Sequence, residues 1–380
     1  MKKINIDELF SYAVEIRRDI HRHPEVGFEL YRTAGLVTEE LKKMGYEPTD
    51  KYGKCSVVAD IGQGKEFVVV RADMDALPVQ EKVDVPFKST IDGMMHACGH
   101  DSHTAVLLAV AKYLKVHEKE LTRRIRLLFQ PAEESAVSGA KMMKDNGVMQ
   151  GVTEAICTHC DNTVECGELV VCPGDYMAAC IPWSVRFLGK TAHAAFQHNG
   201  IDAVKMGIEA YTAMLEAVAE EAGDTTPYIW CNGRFSGGHA HNVVPDTCEM
   251  DISFRFYNMD FAKRVEKRVK DICNGIAERA GGKCEIDWHI STVSVHNNTD
   301  MVLDFENTLK ANGMDIGRVE PRMSSEDFGW ILADTPGFIF RFGTRNEATG
   351  CTDTAHSNTF KIDENGMESA IRAFIVYLMR

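Results

Sequence analysis

The sequence predicts an α/β protein in two parts. One is a domain on a mixed, mostly parallel sheet, over residues 1–178 and 293–380. The other is an inserted ferredoxin-like α+β domain over 179–292. Three observations carry this reading. In the first half, short runs rich in β-branched residues, such as Val68-Val69-Val70 and Ile125-Arg126-Leu127-Leu128-Phe129, alternate with helical patterns. That is the signature of parallel strands buried on both faces. From about residue 179 the strands instead alternate apolar with polar, and their order with the helices is β-α-β-β-α-β. With 380 residues the chain also exceeds one typical core, so two domains are expected.

Taken in order, residues 7–20 read as an amphipathic helix that ends at His21-Arg22-His23-Pro24-Glu25, where Pro24 breaks it. A second helix covers 33–45 and stops near Gly45. The strand 66–72 follows, with Asp73 and Asp75 at its carboxyl end. A helix begins after His103 and runs to Leu114. The strand 125–129 leads into Gln130-Pro131-Ala132-Glu133-Glu134, a helix over 138–147 closes on Gly147, and a short strand over 154–158 ends in His159-Cys160-Asp161. In parallel α/β sheets ligands bind beyond the carboxyl ends of the strands. Asp73, Asp75, Glu133, Glu134 and His159 all fall at such ends.

In the insert, Cys180–Leu188 alternates with Trp183, Val185 and Phe187 on one face. A helix spans about 200–221, and strands cover 228–235 and 248–257, the latter with Met250, Ile252, Phe254 and Phe256 on one side. The helix Met259–Ala280 closes on Gly281-Gly282, and 284–290 is the last strand. A helix over 301–312, a strand over 337–342 and a helix over 363–379 return to the first domain. No internal repeat or low-complexity segment interrupts this order.

Composition narrows the function classes. Hydrophobic content of 44% and charged content of 26% are those of an ordinary globular protein, and a net charge of −14 argues against nucleic-acid and anionic-membrane partners. The N-terminus Met1–Glu8 has two lysines but no apolar stretch behind them, and no run approaches the ~18 apolar residues of a membrane span. Twelve cysteines without a disulfide spacing read as reduced thiols, and the expected location is cytoplasmic.

The densest chemistry lies in His96-Ala97-Cys98-Gly99-His100-Asp101-Ser102-His103. Cys98 and His100 flank one glycine, so one turn can present a thiolate and an imidazole, ligands suited to first-row divalent metals. The helix N-terminus beside them favours a thiolate. With Glu133, Glu134, His159 and His356, the candidates exceed the three protein ligands of a single catalytic zinc, which points to two metals. Adjacent side chains of an extended Glu-Glu pair point apart, so one can ligate while the other handles a proton. Asp73, Asp75 and Asp101 suit a role behind the ligands, orienting the histidines or, for Asp101, capping the helix.

Three segments together resemble the N-acyl-amino-acid amidohydrolases, the hippurate hydrolase and aminoacylase group of two-metal carboxypeptidase-like metallopeptidases. They are Arg71–Pro78, His96–Asp101 and Phe129–Glu134. Asp19–Phe28, Asn242–Asp246, Ser325-Glu326-Asp327-Phe328 and His356-Ser357 extend the resemblance over nearly the whole chain. It implies a zinc-exopeptidase-like catalytic domain, an insert that serves as lid and dimerisation domain, and a homodimer. It also implies two divalent ions per subunit, zinc or manganese, held by Cys98, His100, Glu134, His159 and His356, with Glu133 as general base. On the insert, His193 would stabilise the oxyanion, Arg255 would grip the substrate carboxylate, and Asn242 lies in the matching turn. The implied substrate is a small N-acyl amino acid, cleaved to a carboxylic acid and a free amino acid.

The chain departs from the family pattern at Thr191-Ala192, Gln197-His198, Cys160, Ala355 and Gly238-His239-Ala240-His241, largely where substrate would bind. Other readings are a dipeptidase or aryl-amido-glutamate hydrolase with the same chemistry, and a non-catalytic binding protein on the same scaffold. A structural zinc module would need four closely paired ligands, whereas here they spread from 98 to 356.

Overall fold

The computed structural model of the chain describes residues 5–380, so Met1-Lys2-Lys3-Ile4, with both lysines of the N-terminal reading, lie outside the described residues. The chain divides into two compact units. The first holds the residues up to Tyr176, with His296–Pro321 and Asp327–Arg380; the second holds Met177–Val295 with Arg322–Glu326. The five residues Arg322–Glu326 thus group with the second unit, although the sequence alone joins them to the first.

A seven-stranded mixed sheet organises the first unit. Across it run Val57–Ile61, Arg124–Gln130, Phe67–Asp73, Glu154–Glu165, Gly337–Arg345, Leu169–Val171 and Gly317–Arg318. The central pairings are parallel, while Val57–Ile61 and Leu169–Val171 pair antiparallel to Arg124–Gln130 and Gly337–Arg345. Phe67–Asp73 is buried at every position, including Arg71 and Asp73. An apolar run covered on both faces produces this pattern. The helix His100–Val116 is buried almost all round through Ala111, because it packs against the strand Phe67–Asp73, the helix Ile6–Arg22 and the helix Gly366–Leu378.

One element differs from the sequence reading in a way that matters. The strand beginning at Glu154 does not stop before His159 but runs to Glu165. Gly337–Arg345 pairs with it along that extension, with Arg341 opposite His159, and this ladder keeps the polar stretch His159-Cys160-Asp161 extended. The short strands at 57–61, 169–171 and 317–318 lie at or near sheet edges and have too few residues for periodicity to reveal them.

The second unit is an antiparallel sheet of Lys283–Trp288, Ala179–Leu188, Thr247–Phe256 and Tyr228–Gly237, in that order, with helices Ala203–Ala222 and Met259–Ala280. Ile181, Trp183, Val185 and Phe187 join Met250, Ile252, Phe254 and Phe256 on the face that the two helices cover. The alternation that predicted these strands is therefore the alternation that builds this core. No helix among the described residues is long and apolar enough to cross a membrane.

Candidate active site

The sheet of the first unit levels its strand ends. Phe67–Asp73 and Arg124–Gln130 run parallel with Asp73 opposite Gln130, and Arg71 stands opposite Cys157 on the next strand. Two residues on from that last pair stand Asp73 and His159. Beyond the strand ends the chain carries Asp75 on one side and Glu133-Glu134 on the other. The helix His100–Val116 starts against this row with Gly99 as its cap at φ 82°. A side chain at Gly99 would put its Cβ 2.3 Å from Cys160 Sγ. The close neighbour that demands glycine is thus Cys160, and the left-handed backbone adds to the demand. His356 also adopts a left-handed conformation, at φ 70°, rare outside glycine and costing about 1–3 kcal/mol. Its backbone N–H donates to Ala97 O at 2.8 Å, which ties this distant segment to the Cys98 turn.

These elements bring all six sequence candidates of the first unit together. Cys98 Sγ lies 3.4 Å from His159 Nε2, and His356 Nε2 lies 2.9 Å from Glu134 Oε1. Donor atoms fall within 4.8 Å of one another in the trios Cys98–His100–His159, Cys98–Glu134–His356 and His100–Glu133–Glu134. Two ligands on a tetrahedral zinc, one sulfur and one nitrogen, would stand roughly 3.5 Å apart, close to the Cys98–His159 separation. His100 Nε2 is buried without a hydrogen bond. Around it Asp73, Glu133 and Glu134 oxygens stand at 3.8, 3.9 and 4.0 Å, too far to bond and well spaced for a shared cation. An orphaned imidazole nitrogen among carboxylates and a thiol is a donor set that fits a divalent metal.

The electrostatics agree. Burial alone would lower the His100 pKa, yet Asp73, Asp75 and Glu134 raise it to about 10, so the surrounding carboxylates favour positive charge at this point. Burial raises the Cys98 thiol well above its usual range, and the nearby Glu134 and Glu133 raise it further. The helix N-terminus was expected to favour the thiolate; without a metal, burial and two carboxylates outweigh it. Burial also holds His159 neutral, well below the ordinary histidine range, in the form that ligates. Glu134 is lowered by its hydrogen bond to His356 and by His100, against its burial.

Behind the cluster stand the aspartates. Asp75 Oδ1 is 3.3 Å from His100 Nδ1, and its two oxygens accept the backbone N–H groups of Glu133 at 3.1 Å and Glu134 at 3.0 Å. Asp73 pairs with Arg71 at 2.7 Å and with His103 Nδ1 at 2.6 Å, while His103 Nε2 accepts from Cys160 N. Both nitrogens of His103 are thereby occupied, which makes it a prop for the strand of His159. Asp101 neither caps its helix nor meets a candidate ligand. It is bound at 2.7 Å by both Arg17 and His21, buried side chains that draw it inward.

The second unit holds the remaining candidates. His193 and Val243 form a bridge, and Ala194 N donates to Asn242 O at 3.0 Å, so His193 and Asn242 lie on adjoining exposed turns. His193 Nδ1 accepts from Ala195 N at 3.1 Å, leaving Nε2 as the nitrogen free to turn outward. Arg255 is half-buried on the strand Thr247–Phe256 and donates to Met323 O at 2.9 Å and Ser325 Oγ at 3.4 Å.

A sequence model of peptidase family M20/M25/M40 matches residues 69–380. The chain belongs to peptidase family M20/M25/M40. Thermostable carboxypeptidase 2 of Saccharolobus solfataricus is 34% identical over 368 residues, spanning 96% of this chain and 93% of its own. The N-acetyl-L-cysteine deacetylase of Bacillus subtilis is 32% identical over 372 residues, spanning 97% and 87%. The crystal structure of the Bacillus subtilis YXEP protein, a dinuclear metal binding peptidase, superposes with a TM-score of 0.85 at 28% identity over 98% of each chain. The amidohydrolase resemblance read from the motifs falls within this family, and the chain is a hydrolase of amide bonds.

Within this M20/M25/M40 site, sequence reasoning missed Arg71, His103, Gln130 and, as a site residue, Asp327. Arg71 carried a signal, a lone charge inside a strand otherwise apolar enough to be buried on both faces. Asp327 carried only its place in a matching motif.

Proposed function

We propose that the chain is a metal-dependent amidohydrolase that splits N-acyl amino acids into a carboxylic acid and a free amino acid. Cys98, His100, Glu134, His159 and His356 would hold two divalent ions, zinc or manganese. Bound there, such ions would lower the pKa of water and polarise the amide carbonyl. Glu133 accepts the proton of the attacking water at its carboxylate and returns it to the leaving nitrogen. His193 donates to the developing oxyanion, Arg255 receives the carboxylate of the amino-acid part, and Asn242 adds a further contact to the substrate.

One observation carries this reading, the division of labour within Glu133-Glu134. Asp75 fixes both backbone N–H groups, Glu134 turns to His356 at 2.9 Å, and Glu133 instead accepts from the backbone N–H of Asp327 at 3.4 Å. One carboxylate is committed to the ligand cluster while its neighbour borders it. A carboxypeptidase and an N-acetyl-L-cysteine deacetylase among the relatives support a substrate whose amide nitrogen belongs to an amino acid with a free carboxylate.

An oxyanion donor must come within about 3 Å of the reacting oxygen. We assign that delivery to a homodimer through the second unit, with His193 serving the partner's site. The strand Tyr228–Gly237 is a sheet edge with Ile229 and Phe235 exposed, and Ile208 and Leu215 are exposed on the helix Ala203–Ala222, an apolar surface suited to an isologous contact.

The test loads the purified protein with zinc or manganese and offers N-acyl amino acids beside dipeptides. Release of free amino acid from the N-acyl substrates, lost on chelation and restored by metal, is expected. Hydrolysis of dipeptides alone would replace the reading with a dipeptidase. Binding without hydrolysis would make the chain a binding protein.

A further inference from the structure

We propose that Asp327 is the positioning residue for Glu133, acting through the loop that carries it. The inference rests on the reading of Glu133 as the base.

Glu133 and Glu134 sit in the irregular stretch 131–138 between the strand Arg124–Gln130 and the helix Gly139–Asp145. That stretch is strained at its start, since Ala132 has φ 56°. A backbone in that region persists only when its surroundings over-determine it. Asp327, fully buried, supplies that constraint from the far end of the sequence. At one stem of the loop, Gln130 Nε2 donates to both its oxygens at 2.9 Å. At the other stem, Ser138 Oγ donates at 2.7 Å and Ala140 N at 3.1 Å. Across the loop, the backbone N–H of Asp327 itself reaches Glu133 Oε1 at 3.4 Å.

The carboxylate is a clamp on both ends of the loop, and its own backbone touches the group that would move the proton. Arg71 makes the clamp affordable in a dry interior. It donates to Asp327 at 2.9 Å and to Asp73 at 2.7 Å, so two buried carboxylates share one guanidinium. Asp75 holds the middle of the same loop through the N–H groups of Glu133 and Glu134, and Asp327 holds its ends. Fixing both is what keeps a base within the ~0.5 Å that productive geometry demands.

Asp327→Asn tests this. The replacement keeps the volume but must place an N–H₂ group against donors, with Ser138 and Ala140 on one side or Arg71 and Gln130 on the other. On N-acetyl-L-methionine with the metal-loaded protein, kcat is expected to fall about 100-fold while KM stays within about threefold. Metal content should match wild type. Hydrogen exchange, which needs no substrate, should quicken in 131–138 and stay unchanged in the helix His100–Val116. A wild-type kcat, a loss of kcat matched by loss of metal, or faster exchange throughout the protein would overturn the proposal. If Asp327→Asn does not fold, Ser138→Ala decides, since it removes one clamp bond and leaves Asp327 in place. About a tenfold lower kcat with unchanged KM supports the clamp, and wild-type kcat and exchange overturn it. Glu133→Gln is run alongside. An active Glu133→Gln sinks the reading of the base, and this inference with it. An inactive Glu133→Gln beside a normal Asp327→Asn sinks the positioning role alone.

Discussion

In the first unit, Cys98, His100 and His159 are buried and meet one another's neighbours at 3.3 to 4.0 Å, with Asp73, Asp75, Arg71 and His103 bonded behind them. In the second unit, His193 and Asn242 are exposed on turns, and Arg255 is tied to one carbonyl and one hydroxyl. The physical reason is the cost of burial. A buried charge persists only with partners, so a buried cluster arrives with its supports and is rigid before any ligand binds. An exposed imidazole needs no such support, and among the described residues the His193 ring takes a hydrogen bond only from the N–H of Ala195. The candidate residues of the first unit are therefore held in place by their surroundings, and those of the second unit much less so.

The largest effect should follow from removing the base. Glu133→Gln keeps the size of the side chain but not its proton affinity, and kcat should fall by about 10³-fold or more with metal content unchanged. Near-normal turnover in the metal-loaded variant would remove the distinction between Glu133 and Glu134. His193→Ala comes next, with a loss of about 10²–10³ in kcat, as for other single oxyanion donors. Refolding His193→Ala together with Glu133→Gln should restore activity, because one site of each mixed dimer keeps both residues. No recovery at any ratio would place His193 in its own subunit's site.

Arg255→Ala should act on binding, raising KM about 10- to 100-fold with a smaller change in kcat, and Arg255→Lys should recover part of it. Equal losses in kcat and KM would mean that Arg255 matters mainly through the segment it holds at Met323 and Ser325. The smallest effect is on the metal-free protein. His100 is raised to about 10, above its unfolded value near 6.5, so its stabilisation is complete below that value and lost as pH rises through about 10. The raised Cys98 thiol works in the same direction. Melting temperature of the metal-free protein should fall between about pH 6.5 and 10. A flat profile would argue that the cluster holds no such charge.

How much of this was legible follows the same division. The alternation of apolar strands and helices, the period-two strands of the insert and the crowded Cys98–His103 turn were readable because burial writes periodicity and dense ligands into short stretches. The spatial meeting of residues 98, 134, 159 and 356 was not readable from spacing; the motif resemblance supplied it. His159 was placed past a strand end because nothing in the polar His159-Cys160-Asp161 signals the partner strand, Gly337–Arg345, which extends that strand. Asp101 reads from the sequence as a support for the histidines or a helix cap, but its partners Arg17 and His21 lie some 80 residues away, beyond any local rule. Asp327 shows in the sequence only as a member of a matching motif, because its partners Arg71, Gln130 and Ser138 lie farther still along the chain.

The central claim is that Cys98, His100, Glu134, His159 and His356 hold two metals while Glu133 stays off them. Anomalous diffraction from crystals of the zinc- or manganese-loaded protein tests it most directly. The account predicts two peaks in this cluster, with those five side chains as protein ligands and Glu133 at hydrogen-bond distance from a bound water. A single peak, peaks elsewhere, or Glu133 in the place of Glu134 would contradict it.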